Sequence, residues 1–91
     1  MTVEFDLEKD RRNREKHGLP LAVGGPVIED AKARGAVIED RRRDYGERRW
    51  IAYGRVAGVL LVCVFTERGG GYRIISLRRA NRRERDVYGE D

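Results

Sequence analysis

The stretch Val59 to Phe65 is apolar at every position, and most of its residues are β-branched or aromatic. A strand apolar on both faces belongs in the middle of a sheet beneath helices, so the pattern predicts a central strand from Val59 to Glu67. Before it, Arg49 to Val56 alternates: Ile51 and Tyr53 share one face with Arg49 and Arg55, while Trp50, Ala52, Gly54 and Val56 take the other. Ala57 and Gly58 make the turn between them. After it, Gly69, Gly70 and Gly71 form a hairpin tip, and Tyr72 to Arg78 is the last strand. Strict alternation there puts Arg73, Ile75 and Leu77 on one face and Tyr72, Ile74, Ser76 and Arg78 on the other. Links this short permit only antiparallel pairing, because a parallel crossover needs about a dozen residues.

Polar periodicity places the helices. Asp6 caps a helix from Leu7 to about His17, with Glu8 in its first turn, Lys16 and His17 in its last, and Gly18 positioned for a left-handed end. Leu19 to Asp30 reads as a short or broken helix, interrupted by Gly24, Gly25 and Pro26 and resumed over Val27 to Ala33. Gly35 releases a short strand from Ala36 to Glu39, and Arg41 to Arg48 is a polar loop. Ala80 to Tyr88 closes the chain as a helix. The expected class is α+β: a small antiparallel sheet, made of a three-strand meander plus a short first strand, with N-terminal helices and a C-terminal helix.

Composition narrows the use of that scaffold. With 91 residues the chain makes one domain, 1–91, and charged residues are as abundant as hydrophobic ones, at 40% each. The 20 Lys and Arg, mostly arginine, give a net charge of +4. Arginine offers a planar fork of donors matched to phosphate and carboxylate, which points to RNA or an acidic protein partner. The single cysteine, Cys63, lies inside the apolar run, where a thiol packs as a small hydrophobe. Neither a membrane-length apolar run nor a secretory leader pattern is present, so the expected compartment is the cytoplasm, without membrane association.

Several chemistries drop out on residue types. One histidine and one cysteine give no tetrahedral metal set, the triple glycine lacks the lysine and hydroxyl of a phosphate loop, and Ser76 has no glycine elbow. Neither metal nor cofactor is expected. Cleavage of RNA by its own 2′ hydroxyl needs only a base, donors to the charge developing on phosphorus, and a proton for the departing 5′ oxygen. Glu47, His17 or Tyr53 can move protons, and Arg49, Arg73 or Arg78 can hold the phosphate. The candidate catalytic set is Glu47, Arg49, Arg78, His17 and Tyr53; the candidate RNA-binding cations are Arg55, Arg73, Arg79, Arg82 and Arg83. Taken one at a time, each of these residues also fits a solvated face, a cap or a packing role.

Phe5-Asp6, Lys9, Asn13, Lys16-His17-Gly18, Asp40, Gly46-Glu47, Arg49, Arg73-Ile74-Ile75-Ser76, Arg78, Ala80, Glu84 and Tyr88 together resemble the BrnT toxins. The resemblance runs along most of the chain. It departs at Leu7 and at Pro20 to Pro26, where the family commonly carries a tryptophan and an aromatic-led acidic helix. It implies a RelE-like fold and a type II toxin that cleaves messenger RNA. It also implies neutralisation by a BrnA-like ribbon-helix-helix antitoxin, with operator DNA reached only through that antitoxin. Composition alone supports an RNA- or protein-binding module about as well as an enzyme, and two alternatives stand beside the resemblance: a non-catalytic RNA-binding module, or a degenerated toxin kept as a regulatory partner.

Overall fold

The computed structural model describes residues 2–89. Strands β1 (Val3–Glu4), β2 (Val37–Glu39), β3 (Trp50–Val56), β4 (Val59–Arg68) and β5 (Gly71–Arg79) form one sheet in the order β1-β5-β4-β3-β2. Helices α1 (Leu7–His17), α2 (Gly24–Ala33) and α3 (Arg82–Tyr88) complete the domain, with a 3₁₀ turn at Leu21–Val23 leading into α2. The meander β3–β4–β5 is antiparallel, β4 is the middle strand, and β2 adds to β3.

The sheet differs from the expected four antiparallel strands in being five-stranded and mixed. Val3 and Glu4 pair in parallel with Tyr72 and Arg73, a strand too short for its pattern to stand out. Farther along the β5 edge, α1 supplies one side chain as a partner to the strand. Asn13, buried, donates through Nδ2 to the Leu77 carbonyl at 2.8 Å and accepts the Leu77 N–H at 3.1 Å, as a neighbouring strand would.

The glycines read as helix breakers are the start of α2. Gly24, Gly25 and Pro26 occupy its first turn, where N–H groups have no intrahelical acceptor and proline is tolerated. A Cβ on Gly24 would stand 3.0 Å from Cys63 Sγ and Ile74 Cδ1, so glycine lets the helix settle onto the sheet. A Cβ on Gly54 of β3 would run into the Val27 carbonyl of α2. Leu21, Val27, Ile28, Ala52, Cys63, Ile74 and Leu77 fill this interface. Burial pushes the Cys63 thiol up to about 12, consistent with a packing role.

The opposite face of β4 is not roofed by a helix along its length, contrary to the expectation from its two apolar faces. Helix α3 covers only one end, begins at Arg82 rather than Ala80, and is opened by Asn81 in a reciprocal cap with Glu84. A β-bulge makes a further difference. Between Val64 and Phe65 the register to β5 skips Ile75, so Val64 faces Ser76 while Phe65 faces Ile74. Arg73, opposite Thr66, and Arg78, opposite Val62, therefore share the open face, where strict alternation had separated them.

Candidate active site

The open face forms a cleft of about 420 Å³. Its floor is Ile38 of β2, Ile51 and Tyr53 of β3, Val62 and Val64 of β4, and Ser76 and Arg78 of β5. Asp40 and Arg42 wall one side and Glu84 of α3 the other. Period-two alternation explains the floor: apolar residues fill its middle, and the polar groups Tyr53, Ser76 and Arg78 reach it from flanking strands.

Arg78 is fixed from two directions. Its Nη1 and Nη2 donate to the two carboxylate oxygens of Glu84, both at 2.8 Å, and Nη1 also meets the Arg79 carbonyl at 3.2 Å. Glu84 is itself held, since Oε1 accepts the Asn81 N–H at 2.9 Å. The Arg78 hydrogen bonds keep the Glu84 carboxyl below its ordinary value despite burial, with the Asn81 N–H adding to them. Tyr53 lies flat on Tyr88, ring centroids 3.8 Å apart, which ties α3 to the floor. Burial, followed by the neighbouring Tyr88 and Glu84, raises the Tyr53 phenol, so it keeps its proton at neutral pH.

The wall opposite α3 is organised by one buried carboxylate. Asp40 accepts Arg42 Nε and Nη2, each at 2.8 Å, the Arg42 backbone N–H at 3.2 Å and the Tyr45 hydroxyl at 3.0 Å. These donors, led by the Arg42 side chain, hold its carboxyl far below the usual range. Arg49 packs over the Tyr45 ring at 4.1 Å and donates through Nε to Glu47 at 3.3 Å. Arg42 is near enough to bias the titration of Tyr53, Arg78 and Glu84.

His17 ends α1 beside this cleft. It lines a groove with Ser76, which also belongs to the cleft floor. Burial, then the charges of Lys16 and Arg78, lower its imidazole, so the ring is neutral at pH 7.

Of the candidate catalytic residues, the cleft therefore holds Tyr53 and Arg78, with His17 on its flank; Glu47 and Arg49 stand on the rim, linked to it through Tyr45 and Asp40. The candidate RNA-binding arginines are dispersed. Arg55 donates to the Gly89 carbonyl while its backbone N–H meets Asp30 at 2.7 Å. Arg79 caps α1 through the His17 carbonyl at 3.0 Å. Arg73 lies 3.7 Å from Glu4. Arg82 and Arg83 project from α3 without an ion pair among the described residues. Sequence reasoning missed Glu84, Asp40 and Arg42 as site residues. Glu84 carried a signal as the third residue after a capping Asn81, but that pattern announces a helix start rather than a partner for Arg78.

The chain matches, over residues 5–84, the family described as ribonuclease toxin, BrnT, of type II toxin-antitoxin system. It belongs to the BrnT family. No curated protein matches it. A BrnT chain is a ribonuclease toxin of a type II toxin-antitoxin system, which pairs it with a protein antitoxin. No helix of the described residues is long and apolar enough to cross a membrane.

Proposed function

We propose that the open face cleaves messenger RNA through attack of the 2′ hydroxyl on the adjacent phosphodiester, without a metal ion. The observation that carries this reading is the placement of Arg78: a guanidinium held by Glu84, near enough to both the protonated Tyr53 phenol and the neutral His17 imidazole to bias their titration. Arg78 has five N–H donors, of which Glu84 and the Arg79 carbonyl occupy only some. The rest bind the phosphate and meet the charge that grows on it in the transition state. His17 accepts the 2′ proton, and Tyr53 supplies one to the departing 5′ oxygen, leaving a 2′,3′-cyclic phosphate. Arg42 adds positive potential from the opposite wall, while Glu47 and Arg49 brace the rim. The described residues contain no group of three or more His, Cys, Asp or Glu suited to a metal ion.

The partner is a BrnA-like antitoxin with a ribbon-helix-helix part, through which the pair reaches operator DNA. An acidic or amphipathic helix laid over the arginine-bearing face would block the cleft. Inducible expression in cells, with and without a neighbouring antitoxin-type gene, tests both halves by primer extension on total RNA. New messenger RNA 5′ ends on toxin expression, lost on antitoxin co-expression, are expected. Growth arrest without new ends would contradict RNA cleavage.

A further inference from the structure

The groove beside the cleft is a concavity of about 330 Å³ between α1 and β5, lined by Lys9, Arg12, Asn13, Lys16, His17, Ile75 and Ser76. Asn13 is pinned to the β5 edge, and Lys9, Arg12 and Lys16 lie three, four or seven positions apart, hence on the same side of the helix. No carboxylate lines this groove, although the cleft next to it carries Glu39, Asp40 and Glu84. Arg12 meets Glu8 at 3.4 Å around the helix, and Lys9 and Lys16 make no ion pair among the described residues. The chain has 16 acidic residues, and none of those among the described residues lines this groove.

We infer that this α1 groove is a second binding site, for the phosphates of the RNA strand that flank the scissile one. The inference deepens the ribonuclease reading of the cleft by giving the substrate a path. Ser76 belongs to both concavities, so a single strand lying across it places one phosphate at Arg78 and neighbouring phosphates against Lys9, Arg12 and Lys16. Lysines suit that duty: flexible point charges follow a backbone without demanding fixed geometry, whereas the reacting phosphate meets the oriented fork of Arg78. Phosphate contacts of this kind fix the strand's register and carry no sequence information. The small, neutral Asn13 and Ser76 leave the channel floor open.

Fluorescence anisotropy with 2′-O-methyl oligouridylates, which cannot be cleaved, isolates this binding from catalysis. A short oligomer fills the cleft alone; a longer one reaches the groove. Lys9→Ala/Lys16→Ala should weaken the long oligomer on the order of tenfold and lower the slope of log affinity against log salt by about 1.4, two single-strand phosphate contacts. It should leave the short oligomer bound as in wild type. Lys32→Ala removes one charge from the other side of the sheet, and Lys16→Ala should weaken the long oligomer more than it does. Equal long-oligomer affinity and salt slope in wild type and double variant, with folding confirmed by circular dichroism, would overturn the groove. So would losses of equal size for both lengths, or for Lys16→Ala and Lys32→Ala. If wild type fails to cleave natural RNA but the length-dependent loss appears, the catalytic reading falls and the groove stands.

Discussion

Replacing Arg78 removes the proposed phosphate donor and leaves the Glu84 carboxylate with only the Asn81 N–H. Loss of one such transition-state donor costs on the order of 3 kcal/mol, a hundredfold or more in rate. Arg78→Lys keeps the charge but cannot form the two parallel bonds to Glu84, so single-turnover cleavage should fall nearly as far as in Arg78→Ala. Wild-type rates in both folded variants would remove Arg78 from the chemistry. Asp40 makes a different, structural claim. Its native carboxyl lies below the ordinary 3.8, so its contribution to stability is complete above that value and is lost as pH falls through the lower native one. Asp40→Asn should therefore cost about 1 to 2 kcal/mol near neutral pH, discounted because Arg42 is largely exposed, with a difference in melting temperature that shrinks in acid. A constant difference across that range would show that the carboxylate charge does not organise the wall. Arg78 and Tyr53 were legible because they flank an unmistakable apolar strand. Arg42 was not, because in the run Arg41 to Arg43 nothing local tells which guanidinium turns toward a buried carboxylate.

Among the elements, the meander was legible from its glycine turns and the apolar run between them. Two backbone events were hidden. The bulge at Ile75 moves Arg73 and Arg78 onto one face, and no residue there demands it, since Ile74 and Ile75 differ in nothing that alternation can detect. The glycines and proline opening α2 were legible as residues but not as a contact, because local propensity cannot see the sheet beneath. Gly54→Ala should lower the melting temperature through a backbone clash with α2, with a cost of about 1 to 3 kcal/mol or more. An unchanged melting temperature would mean that α2 rides higher over β3. Leu61→Asp tests the central strand by placing an unpaired charge at a position 3% exposed, whereas Val62→Asp would meet Arg78 across the sheet. Leu61→Asp should prevent folding, and native-like melting of that variant would displace β4 from the centre.

For the whole molecule, the proposed function rests on the division between a sealed helical face and an open one that carries the Arg78 cleft and, beside it, the lysine-bearing α1 groove. Association with an acidic partner should slow steeply with added salt, since exposed charges are screened over about 8 Å at physiological ionic strength. The partner should also abolish cleavage at one equivalent per cleft. A complex fully active on RNA would place it on another surface. The central claim, that Arg78 and its neighbours cleave RNA without a metal, is tested most directly by incubating end-labelled RNA with wild type and Arg78→Ala in excess EDTA. The products' 3′ ends are then read. Wild type should yield 2′,3′-cyclic phosphate or 3′-phosphate ends at an undiminished rate, and Arg78→Ala should lose a hundredfold or more. Activity that disappears in EDTA and returns with magnesium, or products ending in a 3′ hydroxyl, would contradict it.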